Sequence, residues 1–283
     1  MSLRRQTVPV LTDREHRRTN SSNQLNSSEP KYVNISQESG LGSSHGNISY
    51  SPCDPGVSRA PLRPALRPLY FEVPQAGRTE FVGRGWLWAE ILRSERHLLI
   101  EGAPGTGKTA ALLALVQSSC FGSEDVVSEA GDRVVAYHFC QADNSPTCRV
   151  SEMVHSLAAQ LSQAPHLQSY QHHLHSHPAT LALLSPSQCA AHPEAALCQG
   201  ILEPLALLEP RPAGQCLVLV DGLSEAEQHK QDYGHTVASL LLSCLDKFPP
   251  WLRLVMTTRT GTLTSLTAAN NIHRLRFVDI VST

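Results

Sequence analysis

Short apolar runs alternate with amphipathic segments along the chain from Phe81 onward. Each run is rich in aliphatic and β-branched residues and stops near a Gly or a polar residue, which is typical of a buried strand. The predicted strands span residues 97–102, 134–142, 216–223, 253–259 and 273–277. Because strands alternate with helices, the pattern predicts an α/β domain with a mainly parallel sheet flanked by helices on both faces.

The segments between these strands carry the predicted helices. Apolar positions recur at helical spacing in residues 86–93, 110–120, 149–163 and 236–248. Pro249 and Pro250 are expected to end the last helix. The Leu-, His- and Ala-rich stretch 164–200 is expected to be helical in pieces, whereas the polar, acidic stretch 123–132 is expected to be a loop.

The N-terminal part of the chain has a different composition. Residues 1–65 are rich in Ser and Asn and lack apolar periodicity, so we expect them to be disordered. Residues 66–80 contain repeated Pro and are expected to form a semi-extended linker, in which Leu69, Tyr70, Phe71 and Val73 dock on the domain that follows. That domain is assigned to residues 81–283 and is expected to be incomplete at its C-terminal end.

The composition limits the classes of function. The 283-residue chain has 23 Lys and Arg against 25 Asp and Glu, which gives a formal net charge of −2. A protein that neutralises many phosphates along a duplex carries a basic excess, so nucleic-acid binding is disfavoured. The sequence has no secretory signal and no apolar run that would span a membrane, and we therefore expect a cytoplasmic protein.

Two groups of candidate metal or redox residues have a simpler interpretation. The run HHLHSHP (residues 172–178) lacks a matching acidic or Cys spacing, and such runs are usually solvated rather than metal-bound. The eight Cys residues include no CxxC pair and are expected to be reduced thiols. Cys140 and Cys148 flank a turn across which they could meet, but buried free thiols are the favoured interpretation.

The most specific signal in the chain is GAPGTGKT, which fits the phosphate-loop pattern G-x-x-x-x-G-K-[ST] in full. A strand precedes it and a helix follows it, so backbone N–H groups of the loop and of the helix N-terminus would surround a phosphate. Lys108 is expected to reach the β- and γ-phosphates and Thr109 to bind Mg²⁺. The predicted nucleotide-binding residues are Gly102, Ala103, Pro104, Gly105, Thr106, Gly107, Lys108 and Thr109.

Asp221 is the second candidate element, because it stands at the carboxyl end of a predicted apolar strand. Ligands of open α/β sheets bind at that edge, so Asp221 is expected to hold Mg²⁺ directly or through water. Glu225, four residues later, is a candidate to orient or deprotonate an attacking water. The alternative is that Asp221 only ends the strand and Gly222 makes the turn.

The end of the following strand supplies a third element, formed by Thr257, Thr258 and Arg259. In the sheet order typical of P-loop NTPases with this spacing, that strand lies between the phosphate-loop strand and the acidic strand. Its polar end would then face the γ-phosphate and sense the nucleotide. The alternative is an ordinary exposed strand end.

Several of these segments together resemble the NTPase region of the TANC scaffold proteins, over roughly residues 67–262. Proteins of that family carry ankyrin repeats, tetratricopeptide repeats and a coiled coil, and their P-loop region is similar to the STAND class of signal-transducing ATPases. The matching segments are FVGR, GAPGTGKTA, VVAYHFCQADN, ILEPL, LVLVDGLSEAEQHKQDYG and FPPWLRLVMTTR.

The resemblance implies a scaffold with a nucleotide-dependent switch at neuronal postsynaptic sites, with other scaffold or synaptic proteins as partners. It implies Lys108 and Thr109 as the phosphate and Mg²⁺ residues, Asp221 as a second Mg²⁺ contact and Arg259 as a sensor. The segment 81–84 would then pack near the adenine.

Two departures from the family pattern qualify these implications. Ser224 stands where STAND proteins often carry a second Asp, which weakens the expectation of multi-acid coordination. The chain also lacks the repeat modules of the family, so it is expected to be a fragment or a truncated form.

Three functional hypotheses follow. The leading one is a regulatory module that binds ATP, or GTP, with Mg²⁺ and hydrolyses it slowly, because no arginine finger is identifiable beyond Arg259. The second is a competent ATPase with Glu225 as the base and Arg259 as the stabiliser of developing charge. The third is a nucleotide-independent interaction module, against which the intact Lys108 and Thr109 argue.

Overall fold

The computed structural model describes residues 66–69, 85–121, 126–229, 234–262 and 271–277. All of them belong to one of the two compact units into which the chain divides, Glu38–Thr283. The segment 1–65, for which disorder is predicted, lies outside the described residues, as does most of the predicted linker.

The described strands form a five-stranded parallel sheet, which confirms the predicted fold class. The spatial order is β2-β3-β4-β1-β5, so β4 lies between β1 and β3, as the sequence predicts. The strands are β1 (His97–Gly102), β2 (Val134–Phe139), β3 (Cys216–Asp221), β4 (Leu252–Arg259) and β5 (Ile272–Phe277).

Eleven helices accompany the sheet in the described residues. They are α1 (Gly85–Arg93), α2 (Lys108–Phe121), α3 (Val126–Asp132), α4 (Val150–Gln163), α5 (Gln168–Ser176), α6 (Pro178–Leu183), α7 (Pro186–Ala191), α8 (Pro193–Leu197), α9 (Glu203–Ala206), α10 (Leu223–Gln228) and α11 (Val237–Ser243). A π-type turn, Cys198–Leu202, joins α8 to α9. The helical pieces expected within 164–200 are therefore present.

Alternating residues of the buried strands point to two cores, one on each face of the sheet. Leu98 and Ile100 of β1 pack with residues of α1 and α2, whereas Leu99 packs with residues of α4 and α11. Helices consequently cover both faces. This burial explains why the central strands read as continuous apolar runs instead of alternating ones.

The predicted loop at 123–132 is wrong for its described part, because α3 covers Val126–Asp132. Its acidic residues are compatible with a helix: Glu129 pairs with Arg133 one turn later, at 2.7 Å. Ala130 is fully buried in the core that contains α1 and α2 residues. Packing of this face decides the conformation, whereas the polarity of the segment alone favoured a loop.

The predicted helix 236–248 is shorter than expected. It begins after Thr236, whose side chain accepts a hydrogen bond from the backbone N–H of Ser239 in a capping box. It ends at Ser243, and a separate 3₁₀ turn at Leu245–Lys247 precedes the prolines. Cys244 lies between the two pieces.

Gln160 of α4 completes the hydrogen bonding of the edge strand β2. Its side-chain oxygen accepts from the N–H of Tyr137 at 2.9 Å, and its amide donates to the carbonyl of Tyr137 at 2.9 Å. The described part of the linker also contacts α4, since Leu69 N–H donates to Ser156 Oγ at 2.9 Å. Helix α4 thus closes one edge of the sheet.

Candidate nucleotide-binding site

The phosphate-loop motif connects β1 to α2, at the carboxyl edge of the sheet. The backbone φ angles of Gly105 and Gly107 are 79° and 83°, in the left-handed region that residues with a Cβ rarely adopt. The turn brings the chain directly into α2, which begins at Lys108. The first N–H groups of that helix therefore face the same edge as the loop.

Gly102 is required by close packing. A Cβ at this position would lie 2.8 Å from Cβ of Phe277 on β5 and 2.8 Å from Oγ1 of Thr106. The Thr106 hydroxyl in turn donates to the carbonyl of Ala103 at 2.9 Å. The first glycine of the motif thus lets β5 pack against the base of the loop.

Lys108 folds over the loop. Its Nζ donates to the carbonyls of Gly102 and Ala103, at 2.7 and 2.8 Å, and lies 3.3 Å from Thr106 Oγ1. These carbonyl contacts place the ammonium at the centre of the loop, where a phosphate oxygen could take their place.

Asp221 joins the two halves of the predicted site. Its Oδ2 accepts from Thr109 Oγ1 at 2.7 Å, across 112 residues of sequence. Its Oδ1 accepts from Thr257 Oγ1 at 2.6 Å, and the same Thr257 oxygen accepts from the N–H of Gly222 at 2.9 Å. The ends of β3 and β4 and the start of α2 therefore meet at one carboxylate.

The Asp221 carboxyl is 4% exposed. Desolvation raises its pKa, while the hydrogen bonds from Thr257 and Thr109 and the charge of Lys108 act in the opposite direction. The two hydroxyl donors and the nearby ammonium do not fully offset the cost of burying the charged Asp221 carboxylate. A bound cation would offset that cost more completely.

Gly222 turns the chain from β3 into α10. It has φ of 73°, and a Cβ there would lie 2.6 Å from the carbonyl oxygen of Cys140. Only a glycine fits both the left-handed backbone and this contact with the end of β2. The turn places Glu225 in the first turn of α10, beside the strand ends.

Glu225 and Arg259 form a close ion pair. Arg259 Nη2 lies 2.6 Å and its Nε 3.2 Å from Glu225 Oε1. Ser224 holds the other carboxylate oxygen through its hydroxyl at 3.0 Å and accepts from the N–H of Arg259 at 3.2 Å. The candidate base and the candidate sensor are thus brought together, but they pair with each other.

Not every predicted element joins this cluster. Thr258 is buried, and its hydroxyl has no hydrogen-bond partner in the described part of the chain. The segment 81–84, expected near the adenine, lies outside the described residues. The histidine run lies on α5 and just after it, where the rings of His173 and His177 stack at 4.0 Å.

Sequence reasoning missed the supporting residues of the site. The sequence predicts only a sensor role for Thr257, although its hydroxyl also binds the Asp221 carboxylate. Ser224 departs from the family pattern, yet it links Glu225 to Arg259. Only Ser224 had a sequence signal, because it directly precedes Glu225, whereas Thr257 is 36 residues from Asp221 and meets it only in the fold.

One comparison with known proteins bears on this site. The family model described as Nephrocystin 3, N-terminal matches residues 84–259, which is more than half of the chain. The match begins just before α1 and ends at the last residue of β4, so it includes the phosphate loop, Asp221 and Arg259. Among the described helices, none combines the length and the apolarity needed to cross a bilayer.

Proposed function

Since the chain belongs to the Nephrocystin 3, N-terminal family, we propose that its parallel α/β domain is a P-loop module that binds ATP with Mg²⁺. The observation that carries this proposal is the contact between Thr109 and Asp221 at 2.7 Å. A phosphate-loop hydroxyl and a strand-end carboxylate are the two protein groups that hold Mg²⁺ in P-loop NTPases. Here they converge from positions far apart in sequence.

The donor set suits Mg²⁺. The cation prefers oxygen ligands and is usually bound by one or two protein groups together with substrate phosphates and water. Thr109 and Asp221 supply a hydroxyl and a carboxylate, and Thr257 holds the carboxylate from its other side. The burial of Asp221 also favours a bound cation, which would stabilise the ionised carboxylate.

The phosphates would lie in the loop. The N–H groups at the start of α2 and the ammonium of Lys108 supply the positive end of the site. When bound, Mg²⁺ would neutralise charge on the phosphate oxygens. Lys108 would exchange its bonds to the Gly102 and Ala103 carbonyls for bonds to phosphate.

We assign the module a regulatory role with slow hydrolysis. Rapid phosphoryl transfer needs an oriented water and extra positive charge at the γ-phosphate. Glu225 and Arg259 are the candidates for these tasks, and each neutralises the other in their ion pair. Release of that pair upon nucleotide binding would give the module two states, which is what a switch requires.

The resemblance to the TANC proteins supports a finer version of this proposal. In that version the module belongs to a cytoplasmic scaffold of postsynaptic sites, and its nucleotide state controls binding to other scaffold or synaptic proteins. The alternative of a nucleotide-independent interaction module stays open to the test below.

Nucleotide titration with and without Mg²⁺ tests the proposal. The wild-type chain is expected to bind ATP more tightly with Mg²⁺ than with a chelator present. Thr109→Ala should lose this dependence, whereas Thr180→Ala on α6 should retain it. Equal ATP affinity in Mg²⁺ and in chelator would contradict the proposed Mg²⁺ site, and no binding by a folded chain would favour the interaction module.

Turnover distinguishes the regulatory module from the competent ATPase. We expect phosphate release from the wild-type chain to be slow and little changed in Glu225→Gln. Rapid turnover that is lost in Glu225→Gln, with ATP binding retained, would instead establish Glu225 as a base.

A further inference from the structure

Two cysteines that are 46 residues apart meet outside the nucleotide site. The Sγ atoms of Cys198 and Cys244 lie 3.1 Å apart, and both residues are buried and free. Cys198 begins the π-type turn, and Cys244 directly follows α11. Neither residue is part of a CxxC motif, so the pairing arises from the fold.

Lys247 makes this pair chemically asymmetric. Its Nζ donates to the Sγ of Cys198 at 3.1 Å. That hydrogen bond raises the pKa of Lys247, so the ammonium stays protonated. Of the two sulfurs, the Cys198 sulfur is the one in hydrogen-bond contact with an ammonium, and reactive cysteines lie in such electropositive surroundings.

Cys244 is the complementary partner. It is fully buried, and burial together with its hydrogen bond to Cys198 raises the pKa of its thiol. Cys244 therefore keeps its proton, and its sulfur stays within 3.1 Å of the Cys198 sulfur. One sulfur is set up as a nucleophile and the other as a thiol that can react with it in a second step.

A surface cavity gives access to the nucleophile. The cavity has a volume of about 470 Å³, and Cys198 and Lys247 both contribute to its wall. Glu194 and His235 also line it, with Glu194 3.7 Å from Lys247 Nζ. Cys198 forms part of the cavity wall and is 3% exposed, whereas Cys244 is not among the lining residues and is 0% exposed.

We propose that Cys198 and Cys244 form a redox-active dithiol, in which Cys198 reacts with a hydroperoxide and Cys244 resolves the product to a disulfide. The covalent link would tie the π-type turn to the end of α11. The proposal does not depend on nucleotide binding.

The chemistry balances with one peroxide per disulfide. With hydrogen peroxide, the Cys198 thiolate attacks one oxygen and the O–O bond breaks. The departing hydroxide takes a proton from solvent to give water, and Cys198 is left as a sulfenic acid. The Cys244 sulfur then attacks the Cys198 sulfur. The S–S bond forms as the S–O bond breaks, and the departing hydroxide takes the Cys244 proton to give a second water. Two electrons pass from the thiols to the peroxide.

A zinc site is the competing interpretation, because a Glu194 oxygen lies within 4.8 Å of both sulfurs. Two observations favour the dithiol. Thiolates on a tetrahedral zinc, with Zn–S of about 2.3 Å, stand about 3.8 Å apart, whereas these sulfurs are at 3.1 Å. The Lys247 ammonium also contacts the Cys198 sulfur, and its positive charge would repel a zinc ion bound to that sulfur.

Peroxide oxidation of the full chain tests the proposal. The reduced protein is treated with hydrogen peroxide, the remaining thiols are alkylated after denaturation, and disulfide peptides are mapped by mass spectrometry. We expect a Cys198–Cys244 disulfide that dithiothreitol reverses. It should be absent in Cys198→Ser and Cys244→Ser and retained in Cys216→Ser. Oxidation of other cysteines first, or stoichiometric zinc that is lost in Cys198→Ser, would overturn the proposal.

A substitution of Lys247 separates chemistry from folding, because this side chain is largely exposed and both cysteines stay in place. Lys247→Met should slow disulfide formation on the order of tenfold, while Lys247→Arg, which keeps the charge, should stay close to the wild type. Equal rates in all three proteins would remove Lys247 from the proposed mechanism and contradict the assignment of Cys198 as an activated nucleophile.

Discussion

The buried carboxylate of Asp221 lowers the free energy of unfolding of the nucleotide-free chain. Its carboxylate is buried at the end of β3, and desolvation raises its pKa despite the hydroxyl groups of Thr109 and Thr257. A group whose charge is penalised in the folded state reduces stability at neutral pH. An acid at this buried position is explained if a cation binds there during function, since the positive charge would stabilise the ionised carboxylate.

Asp221→Asn is expected to stabilise the nucleotide-free chain and to weaken nucleotide binding. The amide has a similar shape and carries no charge to desolvate, so the free energy of unfolding should rise. Affinity for ATP with Mg²⁺ should fall at least about tenfold, because a charged ligand is lost. Denaturant unfolding and nucleotide titration measure the two effects. Loss of both stability and binding would mean that the carboxylate serves the fold.

Gly102→Ala is expected to destabilise the chain by about 1–3 kcal/mol, the usual effect of overpacking. The added Cβ would lie 2.8 Å from both Phe277 Cβ and Thr106 Oγ1, so β5 or the loop must move. Gly214→Ala is the matched control, since nothing lies within 4 Å of its Cβ position. Equal stability of the two variants in denaturant unfolding would contradict the close packing described here.

At the scale of elements, the apolar runs were sufficient to predict the strands and the parallel sheet. A continuous buried run such as Cys216–Asp221 can be predicted as a strand from its own residues, without knowledge of the strands beside it. Helix α3 was missed because its assignment depends on packing: Ala130 is buried against other helices, which no local pattern displays. Segment polarity is a poor guide where the packing of a residue such as Ala130 decides the conformation.

The same division applies to the site. Lys108, Thr109 and Asp221 could be predicted, because phosphate loops and strand-end acids have fixed positions relative to elements. The ion pair of Glu225 with Arg259 could not be predicted, because it depends on the angle at which α10 leaves β3. The Cys198–Cys244 pair depends on how the helices between β2 and β3 pack, and no sequence spacing encodes it.

The edge of the sheet gives a prediction at the element scale. Gln160→Met keeps the side-chain volume but leaves the N–H and carbonyl of Tyr137 without their side-chain partner. The bond from the Gln160 amide to Ser156 Oγ at 3.1 Å is also lost, and the three lost bonds are expected to lower the free energy of unfolding by about 2–3 kcal/mol. Gln171→Met, at an exposed position of α5, should change the free energy of unfolding little. Similar unfolding curves for both variants would show that Gln160 does not support β2.

The pH dependence of stability belongs to the whole molecule, and buried His138 lowers stability on its acidic side. This ring is fully buried, and its Nε2–H donates to the carbonyl of Thr147 at 2.6 Å. Burial lowers its pKa from 6.5 to about 4. The unfolded chain therefore binds a proton that the folded chain does not, and stability must fall as the pH drops from about 7 to about 4.

The expected loss from His138 is ~3 kcal/mol across that range, from a shift of roughly two and a half pH units. Asp221 has the opposite sign, because its raised pKa favours the folded chain in acid. Comparing wild type with His138→Gln isolates the histidine. The stability difference between the two proteins should narrow as the pH falls, and a difference that is constant with pH would contradict a neutral buried His138.

The central claim concerns the whole domain: the loop, the strand ends and α2 form one nucleotide site. Isothermal titration calorimetry of the full chain with ATP and Mg²⁺ tests it most directly, using the wild type, Lys108→Ala and the exposed control Lys247→Ala under reducing conditions. We expect one bound ATP for the wild type and the control, and an affinity at least about tenfold weaker for Lys108→Ala. Undiminished binding by folded Lys108→Ala, or none by the wild type, would contradict the claim.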